Sequence, residues 1–162
     1  MTRAYLGLGS NLGDRLEHLR RAVARFGERG VRVLRSSRVY ETEPVGGPPQ
    51  SDYLNAVVEV EADGSARDLL TSCLAVEDAL GRERAERWGP RAIDIDVLTF
   101  GDQAIDEPGL RVPHPRMHER AFVLIPLLDL DPDPLLPGGR HAADVRIEAL
   151  GRVRLHAPPL IA

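Results

Sequence analysis

Arg82-Glu83-Arg84-Ala85-Glu86-Arg87-Trp88-Gly89-Pro90-Arg91-Ala92-Ile93-Asp94-Ile95-Asp96 carries four arginines and the chain's one tryptophan into two aspartates a residue apart. Gly89-Pro90 marks the first part as a loop, because proline lacks an N–H and fixes φ. The residues after Arg91 alternate. Ile93, Ile95 and Val97 fall on one side and Asp94, Asp96 and Leu98 on the other, which is the period of a strand. Two residues apart on a strand, the aspartates share a face at roughly 6–7 Å. Leu98 and Phe100 are expected to continue that face, so the carboxylates belong at the strand's entrance, beside the loop.

This pattern points to a site for a metal–polyphosphate complex. Mg²⁺ takes one or two carboxylates and completes its shell with phosphate oxygens and water. Arginine forks neutralise and grip phosphate, and basic side chains on a loop can close over a triphosphate. The bland alternative is a solvated Asp-x-Asp strand end beside a surface arginine cluster. The arginine loop running directly into the aspartates favours the site.

The 162 residues are expected to form one domain, 1–162, with room for a real core. No run of apolar residues is long enough to span a bilayer, and the N-terminus has no signal-peptide layout. A lone cysteine, Cys73, excludes an internal disulfide. These features predict a cytoplasmic protein. The net charge of −4 argues against a general nucleic-acid binder. All 21 basic residues are arginine, so P-loop and Schiff-base lysine chemistries are excluded.

From the N-terminus, residues 4–9 read as a buried strand and 10–15 as a glycine-bearing turn. Asp14 with Glu17 resembles a capping box before a helix on Leu16, Leu19, Val23 and Phe26. Asn11 is either a ligand contact or a plain turn residue. A second strand is expected over 31–41, then a Pro/Gly loop over 42–51 that suits a binding loop or a surface connector. A third strand over 53–61 alternates and puts Tyr53 and Asn55 on one face. An aromatic beside an amide suits a flat heterocycle, although ordinary sheet surface has the same look. A capped helix is expected over 65–80, with Glu77 in solvent or, as the lesser alternative, on the ligand side. After the aspartate strand comes a short hairpin-like return at 103–105. His114 is clamped between Pro113 and Pro115, which makes it a candidate donor beside phosphate or a structural histidine. A helix over 120–128 is expected to break or kink at Pro126. Beyond a turn region at 129–139, a modest helix over 142–150 and a short strand or tail complete the chain.

Six segments align with a known family. They are residues 5–14, 40–46 (Tyr-Glu-Thr-Glu-Pro-Val-Gly), 52–57, 81–84, 87–96 and 112–117 (Val-Pro-His-Pro-Arg-Met). The chain resembles the 6-hydroxymethyl-7,8-dihydropterin pyrophosphokinases of folate biosynthesis over its first 132 or so residues. The Arg-Trp-Gly-Pro-Arg-x-x-Asp-x-Asp run is the most specific match.

The resemblance implies a ferredoxin-like α+β fold, a three-layer α/β/α sandwich with a mainly antiparallel sheet. It implies transfer of pyrophosphate from ATP to the pterin hydroxymethyl group, with release of AMP. Asp94 and Asp96 would hold two Mg²⁺ ions. Arg82, Arg84 and Arg91 would neutralise the phosphates, with Trp88, Val97, His114 and Arg120 also on the ATP side; Arg82 and Arg91 join the aspartates as catalytic candidates. The pterin would stack between Tyr53 and Phe122, read by Asn55, with Thr42, Pro44, Val45 and Trp88 contributing. The expected partners are ATP and the pterin, with no nucleic acid or membrane. A monomer is expected, with loose association with neighbouring folate enzymes left open. Two rivals from other classes stand beside this reading. One is a non-catalytic module that senses a nucleotide or RNA. The other is an Asp-x-Asp nucleotidyl or glycosyl transferase that needs Mg²⁺ but no pterin.

Overall fold

Alternating apolar residues build the central sheet and helical stripes cover it. The computed structural model describes residues 1–81 and 92–161. Strand β1 (Thr2–Ser10) leads through a turn into helix α1 (Arg15–Glu28), then β2 (Arg32–Ser36), β3 (Val39–Thr42) and β4 (Tyr53–Ala62). Helix α2 (Ala66–Ala79) precedes β5 (Asp94–Phe100) and a small hairpin of β6 (Ile105–Glu107) and β7 (Leu110–Val112). Helix α3 (Ala121–Leu130) and a last strand, β8 (Val153–Ala157), come after it. The main sheet runs β5-β1-β4-β3-β8, with β2 also on β4, and its pairings are antiparallel.

The two faces of the sheet make two cores. Leu6, Leu8, Val58, Val60, Ile95 and Val97 pack against Leu19 and Phe26 of α1 and Leu69, Cys73 and Val76 of α2. On the other face, Val57 and Leu98 pack against Val123, Leu124 and Leu127 of α3. Each fully buried leucine or phenylalanine contributes about 1.5–3 kcal/mol. The result is the expected three-layer α/β/α sandwich.

The helix starts lie where the sequence predicts, although α1 shows only one half of its expected box. The Asp14 side chain accepts the Glu17 amide, and Ser65 and Asp68 form a full reciprocal box at the start of α2. Cys73 is fully buried and its thiol is pushed well up by that burial, so it is a core residue.

Several expectations are corrected. The single strand over 31–41 is two strands, because Ser37 replaces a ladder rung with its own hydroxyl. Its backbone amide donates to the Val57 carbonyl at 2.8 Å while its Oγ accepts the Val57 amide at 2.9 Å. Phe100 does not continue the aspartate face: a bulge opposite Tyr5 and Leu6 turns it into the α1/α2 core. Helix α3 runs through Pro126 to Leu130, since Pro126, Leu124 and Leu127 are all buried and packing outweighs one missing backbone bond. The helix expected over 142–150 is two short 3₁₀ turns, Ala142–Asp144 and Ile147–Ala149. The hairpin-like return after β5 is as expected, but it lies later, as β6 pairing with β7. Among the described residues, no helix is long and apolar enough to cross a membrane.

Candidate active site

The site is cut into the sheet face that α3 only partly covers. Gly9 of β1 stands opposite Asn55 of β4 on one side and Asp94 of β5 on the other. Gly7, two residues earlier, stands between Val57 and Asp96. Opposed residues of an antiparallel sheet share a face. Two glycines therefore contribute no side chains of their own to a strip with the carboxylates on one side and Asn55 and Tyr53 on the other, a trough that Leu98 borders at Gly7. The trough is narrow at Gly9. A Cβ there would lie 3.0 Å from Asn55 Oδ1 and 3.4 Å from the Tyr53 ring.

The amide of Asn55 is oriented by its neighbour. Its Nδ2 donates to the Thr42 Oγ1 at 2.7 Å, and both residues are buried. That leaves Oδ1 turned toward Gly9 as an acceptor. Thr42 pairs with Tyr53 across β3 and β4, so three of the residues expected to bind a heterocycle are contiguous. Pro44 and Val45 lie in the loop beyond, where Val45 is 72 % exposed and little of it packs on the rest of the site.

On the opposite wall, Asp94 opens β5, as expected for carboxylates at a strand's entrance. Asp96 is half exposed, and among the described residues it pairs with Arg120, whose Nη1 lies 3.7 Å away. Arg120 also lies over the Phe122 ring, 5.5 Å from its centroid. One arginine thus links the carboxylate wall to the aromatic residue at the start of α3. Among the described residues, no third carboxylate, histidine or cysteine completes a ligand cluster with the pair. A hard cation held here would draw the rest of its shell from phosphate oxygens and water, which fits Mg²⁺ on a polyphosphate.

His114 is set beside Asp96. Its amide donates to the Leu98 carbonyl at 2.8 Å, which ties it to the outer edge of β5. Its Nδ1 accepts the Arg116 amide at 3.2 Å, so in the neutral ring the proton sits on Nε2. Burial holds the imidazole below the usual histidine range, and Arg120 and Arg116 lower it further against the opposing pull of Asp96. His114 is therefore a neutral N–H donor near pH 7. A cavity of about 310 Å³ opens here along the edge of β5, lined by Leu70, Asp96, Val97, Leu110, Arg111 and His114. A larger hollow of about 620 Å³ lies at the far end of the sheet by Thr2 and Phe100, away from the carboxylates. Among its lining residues Ser65 is paired with Asp68 and Arg67 with Glu107.

Glu77, expected in solvent, is instead buried and only 3 % exposed. Its carboxylate accepts the Ile95 amide at 2.9 Å, between the two aspartates. The signal lies in the spacing, since Glu77 comes four residues after Cys73 and so falls on the apolar stripe of α2. Asn11 is also buried and holds the Pro/Gly loop, donating to Gln50 Oε1 at 2.7 Å and to the Ser51 carbonyl at 3.1 Å. The expectations for Arg82, Arg84, Trp88 and Arg91 lie outside the described residues.

Residues 5–132 match the family model of 7,8-dihydro-6-hydroxymethylpterin-pyrophosphokinase. A protein of Methylorubrum extorquens named 2-amino-4-hydroxy-6-hydroxymethyldihydropteridine pyrophosphokinase is 46% identical over 139 residues, 85% of this chain and 88% of its own. Proteins of the same name from Bacillus subtilis and Pseudomonas aeruginosa are 46% and 43% identical over 128 and 145 residues. They are covered over 77% and 89% of their lengths, and this chain over 78% and 88%. The fold is shared with a crystal structure of an HPPK-DHPS in complex with substrates, at a TM-score of 0.67 and 13% identity. A Plasmodium falciparum HPPK-DHPS variant with pterin and p-hydroxybenzoate gives a TM-score of 0.68 at 17% identity. Both alignments cover 92% of this chain, which spans only 42% and 43% of those larger chains. The glycine-floored trough, its paired aspartates and these matches agree: the chain belongs to the 7,8-dihydro-6-hydroxymethylpterin-pyrophosphokinase family.

Proposed function

We propose that the chain transfers the pyrophosphoryl group of ATP to 6-hydroxymethyl-7,8-dihydropterin, giving the pterin diphosphate and AMP for folate biosynthesis. The observation that carries this reading is the row Asn55–Gly9–Asp94, which sets a heterocycle acceptor and a carboxylate on opposite sides of one glycine. A flat ring lies beside Asn55, between Tyr53 and Phe122. Asn55 Oδ1 accepts from its N–H edge. The triphosphate runs along the Asp94–Asp96 wall toward the cavity beside Leu70 and Val97, which takes the nucleoside.

Asp94 and Asp96 would hold Mg²⁺, as two ions, which would supply charge neutralisation for the triphosphate and Lewis-acid polarisation at the phosphorus under attack. The chain's own groups do the rest. His114 donates its Nε2–H and Arg120 its guanidinium to phosphate oxygens, and both are desolvated enough for those bonds to be strong. The pterin hydroxymethyl oxygen bonds to the β-phosphorus and releases its proton to water. The bond from that phosphorus to the α–β bridging oxygen breaks, and AMP leaves with the oxygen. Among the described residues, no side chain stands within the trough as a base, so positioning and charge neutralisation supply the rate. The same reading places the reaction in the cytoplasm.

AMP release from Mg-ATP, with and without the pterin, tests this. AMP formed only when pterin and Mg²⁺ are both present supports it. ADP formation, or AMP release indifferent to the pterin, refutes it.

A further inference from the structure

The loop over residues 43–52 leaves the sheet after Thr42 and returns at Tyr53, the last rung between β3 and β4. Its two roots, Glu41 and Asp52, sit one position outside the trough residues. Two arginines join them. Arg15, at the start of α1, donates from Nη1 to Glu41 Oε2 at 2.7 Å and to the Asp52 carbonyl at 2.9 Å. Arg154, on β8, donates from Nη2 to Glu41 Oε1 at 2.9 Å and to Asp52 Oδ2 at 3.1 Å. The four contacts close a ring: Glu41, Arg15, Asp52, Arg154 and back to Glu41. Arg154 also stands directly opposite Glu41 in the ladder between β3 and β8.

We propose that Arg154 is a positioning residue for the pterin, acting with Arg15 as a double staple across the roots of this loop. The inference rests on the reading of Thr42, Tyr53 and Asn55 as the pterin wall. Several features favour function over decoration. Each arginine bridges two acceptors that are eleven residues apart in sequence and flank one loop. Glu41 is three-quarters covered on its side chain, and its carboxyl is held below the usual range by Arg154 first and Arg15 second. Thr42, which orients Asn55, is the neighbour of Glu41, and Tyr53 is the neighbour of Asp52. A shift at either root therefore moves a wall of the trough. The aspartate wall, on β5 at the opposite side of β1, is not touched. Arg154 lies beyond residue 132, where the family match ends, so a segment outside that match shapes the site.

The staple makes the two substrates respond differently. Arg154→Ala and Arg154→Lys are compared with the parent chain by equilibrium titration of the pterin in the presence of a non-hydrolysable ATP analogue, by titration of that analogue alone, and by thermal unfolding. Arg154→Ala is expected to weaken pterin binding about three- to fivefold, the reach of a networked, partly exposed ion pair. Binding of the ATP analogue should stay within about twofold, and Arg154→Lys should recover most of the loss. Unchanged pterin affinity in Arg154→Ala overturns the proposal. So does a loss of both affinities together with a lowered Tm that lysine does not restore, because Arg154 would then merely hold β8. Asn55→Ala serves as the control for the wall itself. If it weakens pterin binding while Arg154→Ala does not, only the staple fails; if neither does, the pterin-wall reading has failed too.

Discussion

The Glu77 carboxylate grips the backbone amide of Ile95 at 2.9 Å, in the one-residue gap between Asp94 and Asp96. A side chain on α2 thereby fixes the strand segment that presents both aspartates. Glu77→Ala strands a buried N–H, a change that costs about 1–3 kcal/mol. It should lower Tm, and kcat should fall further than the stability loss alone explains. Glu77→Gln keeps an acceptor and should lose less of both. Calorimetry with steady-state kinetics on the two variants checks the order; equal kcat in both would remove Glu77 from the support of the site.

Asp96→Ala should reduce kcat by about a thousandfold or more, the scale of losing a group that stabilises transition-state charge. Pterin binding should change far less, because Asn55 and Tyr53 stand on the other side of Gly9. Single-turnover assays beside pterin titration separate the two effects. Turnover within tenfold of the parent would rule out the carboxylate pair as the metal-holding wall.

Gly9→Ala puts a Cβ 3.0 Å from Asn55 Oδ1 and 3.4 Å from the Tyr53 ring. Crowding of that kind costs about 1–3 kcal/mol, so the KM for the pterin should rise about tenfold or more while that for ATP holds. Gly7→Ala meets only Leu98 at 3.6 Å, an ordinary contact, and should be milder. Reversal of that order, measured by initial rates, would place the ring elsewhere along β1.

Asp129 ties α3 to β3. Its carboxylate accepts from Arg38 at 2.8 Å and from the Tyr40 hydroxyl at 2.8 Å. Burial works against the charged form, but the bonds from Arg38 and Tyr40 prevail and hold the carboxyl below its ordinary value of 3.8. A lowered folded-state pKa contributes stability that is whole above the unfolded value and is lost as pH falls through the folded one. Tm should therefore drop more steeply below pH 4 in the parent than in Asp129→Asn. Parallel slopes in a pH series of melting curves would contradict this.

Much of the site is legible in the chain because it rests on local period. Asp94 and Asp96 share a face, as do Tyr53 and Asn55, for no reason beyond a repeat of two. The hidden features depend on partners far away in sequence. The gap between β2 and β3 is made by Ser37 bonding Val57, twenty residues on, and no local signal marks it. Phe100 leaves the aspartate face through a bulge set by the register with β1. Glu77 can be found from its place on the apolar stripe, but a carboxylate there reads as surface until a buried amide is seen to need it. Strand β8 is short and polar on one side, so only its seat on β3 distinguishes it from a tail.

The absence of a side chain at Gly9 also bears on resistance to inhibitors. A flat compound seated against Asn55 and Tyr53 would depend on a neighbour that substitution cannot trim away. Any replacement at position 9 adds bulk against Asn55 and Tyr53, and so obstructs the natural substrate as much as the drug. Escape by changing this residue is closed to the enzyme, and a scaffold built to lie flat there presses on the part of the site least free to evolve.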